Sequence, residues 1–85
     1  MSSSKTLLIT GVSSGFGRAL AAEALACGHR VIGTVRSAEA RRAFEALGPH
    51  AFGRLLDVTD VDAIDGVIAE AEAGIGPVDV LVNNA

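Results

Sequence analysis

An α/β fold on a parallel four-stranded sheet, strand order 3-2-1-4, is the architecture this chain predicts, and three observations predict it. Short apolar runs alternate with stretches of helical periodicity. The connections between them are brief. The hydrophobic share is 49% before the 10 glycines are counted, whereas about 45–50% is usual with glycine included. The alternation β-α-β-α-β-α-β calls for parallel strands joined by crossover helices, and strands covered on both faces explain the apolar excess. At 85 residues there is room for one small domain and no second.

Each element has its own signal. Lys5 to Thr10 holds Leu7-Leu8-Ile9 and stops at Gly11, a buried strand. Gly15 to Cys27 is a helix with Phe16, Leu20, Ala24 and Cys27 on one stripe and Gly28 as its stop. Cys27 reads as a small buried hydrophobe. Arg30 to Val35 is the second strand. Ser37 caps the second helix, whose apolar positions are Ala40, Ala43, Phe44 and Leu47, and Gly48-Pro49 ends it. Ala51 to Leu56 is the third strand, weakened by Gly53 and Arg54. Thr59 and Asp62 resemble a capping pair for the third helix, with Val61, Ile64, Val67, Ile68 and Ala71 buried. Gly74-Ile75-Gly76-Pro77 turns the chain into the fourth strand, Val78 to Val82. Phe44 and Phe52 belong to the core.

Right-handed crossovers and the order 3-2-1-4 put the reversal of a doubly wound sheet between strands one and four. Ligands of such sheets bind beyond the carboxyl ends of the strands at that reversal, where Thr10, Gly11, Asn83 and Asn84 fall. The net charge of −3 offers nothing to a polyanion, so nucleic acid and anionic membrane are not expected partners. The single cysteine forms no internal disulfide, which suits a reducing cytoplasm. Met1 to Lys5 is too short for a signal peptide and no apolar stretch reaches 18 residues. His29 and His50 have no motif partners, and no metal site is expected.

The most informative stretch is Thr10-Gly11-Val12-Ser13-Ser14-Gly15-Phe16-Gly17, between the first strand and the first helix. A phosphate at a helix N-terminus meets unpaired N–H groups and the positive end of the dipole. Gly11 allows the sharp exit from the strand, Gly15 lets the backbone approach a pyrophosphate, and Gly17 lets the helix lie close to the sheet. Ser13 and Ser14 add hydroxyl donors. The spacing is Gly-x3-Gly-x-Gly rather than G-x-G-x-x-G, and it lacks the lysine of an ATP-binding loop.

Here the sequence resembles the short-chain dehydrogenases/reductases. Their T-G-x-x-x-G-x-G motif matches Thr10 to Gly17 in full. Their N-N-A-G motif is matched by Asn83-Asn84-Ala85, and their acid plus small apolar residue after strand three by Asp57-Val58. The wording around them looks most like hydroxysteroid-dehydrogenase-like members. The resemblance implies the N-terminal part, residues 1–85, of a single NAD(P)-binding Rossmann domain, truncated after the fourth strand. It also implies that Asp57 and the Val58 N–H meet the adenine. Asn83, Asn84 and Ala85 would brace the sheet and line the adenosine ribose, and Phe16 belongs to the phosphate loop. NAD-preferring members carry an acid at the end of strand two. Here Val35 stands there, followed by Arg36, whose guanidinium can pair with a 2′-phosphate. NADP(H) is therefore expected over NAD(H), while Arg41 and Arg42 are read as solvated helix residues.

The family's catalysis uses Tyr-x-x-x-Lys with a serine, downstream of N-N-A-G. This sequence has no tyrosine, and its one lysine is Lys5. No catalytic residue is expected within it, and the 85 residues alone are expected to be inactive. Three readings stay open: a carbonyl/alcohol oxidoreductase represented by its cofactor segment, a nucleotide-binding module without turnover, and another doubly wound domain such as a methyltransferase. A small carbonyl or alcohol substrate, and homo-oligomers, are expected only of a complete enzyme.

Overall fold

The apolar run at Leu7-Leu8-Ile9 forms β1 (Thr6–Ile9), an interior strand of the sheet. The computed structural model of the chain describes residues 4–13, 15–56 and 61–84, the side chain of Val61 excepted. Over these residues β1 is followed by α1 (Gly15–Ala26), β2 (Arg30–Val35), α2 (Ala38–Glu45), β3 (Ala51–Leu55), α3 (Val61–Gly74) and β4 (Val80–Val82). All strand pairs are parallel and the order is β3-β2-β1-β4, as the alternating pattern predicts. Ile9, Val31, Val35 and Ala51 pack with Ala21, Ala24 and Phe44, so α1 and α2 cover one face. Leu8 and Ile32 pack with Ala71, and Phe52, Val67 and Ile68 lie partly buried beside them, so α3 covers the other. No helix among the described residues is long and apolar enough to cross a membrane.

Helix α1 buries Ala24 and packs Leu20 against the core as expected, but leaves Phe16 and Cys27 outside. Gly17, Ala21 and Ala24 face the sheet, while Phe16 is 68% exposed and Cys27 is exposed. The fully buried positions of the helix are small residues, with Leu20 and Leu25 packed partly buried beside them, and at its N-terminus the helix lies close against the Gly11 turn. An ideal Cβ at Gly17 would stand 2.2 Å from the Gly11 carbonyl oxygen. Neighbours on a helix point about 100° apart, so a buried Gly17 turns Phe16 outward. Cys27 lies in the turn after α1, just before Gly28 at φ 88°, which leaves it off the packed face.

Ser37 caps α2 by accepting the Ala40 N–H at 3.1 Å. Phe44 is 1% exposed, and burying such a side chain stabilises the fold by about 1.5–3 kcal/mol. Ala43 and Leu47, expected on the same face, are exposed; α2 ends at Glu45, so Leu47 is no longer on its helical face.

Strand β3 stands at one edge and part of its outward backbone is already satisfied. The Ala51 N–H goes to the Gly48 carbonyl at 3.2 Å and the Gly53 N–H to Glu45 Oε2 at 2.9 Å. The Gly53 carbonyl accepts from Arg54 Nη1 at 2.8 Å, and Arg54 also pairs with Glu70 at 2.6 Å. Gly53 and Arg54, the residues that argued against this strand, are thus part of how its edge is finished.

Strand β4 begins two residues later than expected. The Val78 N–H is taken by Glu72 Oε2 at 3.1 Å, outside the ladder. Asp79 then locks β4 to β1 in both directions: its N–H donates to the Thr6 carbonyl at 2.8 Å, and its Oδ2 accepts the Thr6 N–H at 2.8 Å. On the far side of β4 no strand lies among the described residues, and Val80 and Leu81 are 38% and 51% exposed.

Candidate nucleotide-binding site

The site forms where β1 runs out. The Thr10 N–H still belongs to the sheet, donating to the Val82 carbonyl at 3.0 Å. Gly11 then takes φ 72°, a conformation that costs a residue with a Cβ roughly 1 kcal/mol or more. Its N–H donates to Thr34 Oγ1 at 2.9 Å, and the next, that of Val12, donates to the Thr34 carbonyl at 3.1 Å. Val12 is fully buried and Ser13 is exposed. Gly15 opens α1 at φ 67°. An ideal Cβ there meets nothing within 4 Å, so backbone conformation and an open approach, not crowding, define this position.

The other wall comes from the end of β4. Thr10 Oγ1 donates to Asn83 Oδ1 at 3.3 Å and accepts the Asn84 N–H at 2.8 Å. Asn84 Nδ2 donates to the Gly11 carbonyl at 3.1 Å. The same two groups, the Gly11 carbonyl and Asn84 Nδ2, press on the Cβ-less side of Gly17. Thr10, Gly11, Gly17, Asn83 and Asn84 therefore form one cluster, at the reversal of strand order where the sequence places it.

The electrostatics suit an anion. The first N–H groups of a helix have no intrahelical acceptor, and α1 has no acid in its first turn, unlike α2 with Glu39 and α3 with Asp62. The positive end of α1 thus faces the opening without a carboxylate to neutralise it. A dinucleotide's diphosphate fits this donor set, with the room at Gly15 as the approach. Phe16 offers its backbone there, its side chain being at the surface. Arg36 follows directly on β2, exposed, with no acid at that strand end. Arg41, by contrast, packs against Gly53 and pairs with Glu45 at 3.6 Å, so it is held in the fold. Ser14, Asp57, Val58 and Ala85 lie outside the described residues. No group of three or more His, Cys, Asp or Glu gathers among the described residues to hold a metal. His29 Nδ1 accepts the Lys5 N–H at 3.0 Å, at the other end of β1.

Two residues of this architecture escape a reading of the sequence. Thr34 holds the loop and Asp79 sets the register that delivers Asn83 and Asn84. The available signals were a threonine inside an apolar strand and an acid just before one.

The fold and the loop together form a parallel α/β unit with a donor set suited to an anion at the head of the first helix. The short chain dehydrogenase family model matches residues 5–85, and the chain belongs to that family. It is 44% identical over 82 residues to the 3-oxoacyl-(acyl-carrier-protein) reductase FabG of Escherichia coli, covering 95% of this chain and 34% of that one. It is 46% identical over 83 residues to serine 3-dehydrogenase of Agrobacterium fabrum, covering 96% and 33%. Among solved structures, a short-chain dehydrogenase from Streptomyces avermitilis superposes with a TM-score of 0.90 at 54% identity, over 98% of this chain and 31% of that one. A variant actinorhodin polyketide ketoreductase with NADPH superposes with a TM-score of 0.86 at 38% identity, over 96% and 33%. The chain spans about a third of the length of these relatives.

Proposed function

We propose that this chain is the cofactor-binding segment of an NADP(H)-dependent short-chain oxidoreductase that interconverts a carbonyl and an alcohol in the cytoplasm. The observation that carries the reading is the head of α1: two positive-φ glycines, an uncrowded Gly15 and no acid in the first turn. The bound cofactor supplies hydride. This chain's residues supply N–H donors to its diphosphate, and Arg36 a cation beside the ribose 2′-phosphate. Support for NADP(H) also comes from the NADPH found with the structurally similar ketoreductase. The substrate, and any assembly of copies, belong to the protein as a whole.

Titration with NADPH and NADH tests the cofactor. NADPH binds more tightly, and Arg36→Asp erases or reverses the preference. A charge-assisted contact contributes about 1.5–3 kcal/mol, so about tenfold or more in affinity is lost. Equal affinities in the unmutated protein overturn the proposal. The second reading is a nucleotide-binding module without turnover. NADPH binding without carbonyl reduction by the full-length protein decides for it.

A further inference from the structure

We infer that Thr34 is a positioning residue for the phosphate loop, an inference that rests on the nucleotide-binding reading above. Thr34 sits in β2, 1% exposed, on the strand beside the one that feeds the loop. It receives two consecutive loop N–H groups with two different atoms: Oγ1 takes the Gly11 N–H at 2.9 Å and the carbonyl takes the Val12 N–H at 3.1 Å. The carbonyl contact is available to any residue at this position. The Oγ1 contact is not, since only serine or threonine offers a hydroxyl acceptor on so short a stem.

The consequence is an assignment of donors. A turn of this kind carries a series of N–H groups that could all point at an anion, and the first two are withdrawn from that role. An incoming diphosphate is left to the N–H groups that open α1. Thr34 also fixes the level at which the chain leaves the sheet, because Gly11 is held from both sides: its N–H by Thr34 and its carbonyl by Asn84 Nδ2 at 3.1 Å. Removing the Thr34 hydroxyl strands the Gly11 N–H and loosens the Thr10–Gly11 peptide, while the Gly11–Val12 peptide stays held by the Thr34 carbonyl and Asn84. The level at which the chain leaves the sheet is then less firmly fixed, and the later donors converge less well.

The test is dinucleotide affinity in the full-length protein carrying Thr34→Val or Thr34→Ser. Valine keeps the shape and the strand preference but offers no acceptor; serine keeps the acceptor. Thr34→Val is expected to weaken NADPH binding about tenfold or more, the scale of a lost hydrogen bond with a stranded donor. Thr34→Ser is expected to bind within about threefold of the unmutated protein, a difference below one hydrogen bond. Adenosine 2′-monophosphate, which has no diphosphate, should bind both variants alike. If Thr34→Val does not fold, Thr34→Cys against Thr34→Ser poses the same question, since sulfur is a weak acceptor of similar size. Unchanged NADPH affinity in Thr34→Val, equal losses in valine and serine variants, or a parallel loss for adenosine 2′-monophosphate would each overturn the inference. An unmutated protein that binds no dinucleotide overturns the nucleotide-binding reading instead.

Discussion

Gly17 and Gly66 are both helical glycines, and the same substitution should move stability in opposite directions at the two. Glycine to alanine in a helix interior is worth about 1 kcal/mol from propensity alone. At Gly66 an added Cβ meets nothing within 4 Å, so Gly66→Ala should collect that gain. At Gly17 the Cβ would lie 2.2 Å from the Gly11 carbonyl oxygen and 2.6 Å from Asn84 Nδ2. Restoring a 3.0 Å contact from 2.2 Å moves α1 about 0.8 Å from the Gly11 turn. Overpacking of this kind costs about 1–3 kcal/mol. The Asn84–Gly11 hydrogen bond, caught in the same space, adds about 1 kcal/mol if it breaks. Against a propensity gain of about 1 kcal/mol, Gly17→Ala should lose about 1–3 kcal/mol net. Each kcal/mol shifts the melting temperature of a domain this size by about 4–8 °C. Thermal unfolding followed by circular dichroism should therefore show Gly66→Ala melting above, and Gly17→Ala well below, the unmutated protein. A Gly17→Ala variant that melts at or above the unmutated temperature would refute the close approach of α1 to Gly11.

Two further outcomes follow from the site and the sheet. Gly15→Val should lose NADPH binding, because a β-branched residue resists φ 67° at a cost of about 1–3 kcal/mol and puts methyl groups where the diphosphate approaches; unchanged affinity in a folded variant, by calorimetry, contradicts this. The 85 residues expressed alone should show no NADPH oxidation with ketones or aldehydes, since no tyrosine is present to move the proton, and should self-associate in sedimentation because Val80 and Leu81 are exposed on an open edge. Turnover above background, or a monodisperse monomer, contradicts the corresponding half.

The strand order and the placement of the loop were legible in the sequence because they depend on order and spacing alone: apolar runs, helical stretches and glycines at a junction. What was not legible depends on distance between elements. On α1 the expected Leu20 and Ala24 do pack inward, but Phe16 does not, because the close approach of the helix to the Gly11 turn puts Gly17 on the packed face instead. Cys27 was assigned to the core on residue type, and the turn at Gly28 put it outside. The start of β4 was placed early because Val78 is apolar, yet its N–H is claimed by a glutamate six residues back. Thr34 and Asp79 act on partners 23 and 73 residues away, and no local pattern encodes such a pair.

The unequal edges of the sheet limit how copies can combine. An open strand on each flank would let molecules add head to tail without end, giving a ribbon. Among the described residues the β3 flank has its Ala51 N–H, Gly53 N–H and Gly53 carbonyl already taken by Gly48, Glu45 and Arg54, whereas β4 has no strand beside it on its far side. For the 85 residues expressed alone, two copies that meet through β4 would each turn outward a flank whose central donors are already spent, which disfavours edge-to-edge growth beyond a pair. In that 85-residue segment Glu45 and Arg54 would act as chain stoppers: neutralising both should favour open-ended over self-limiting association.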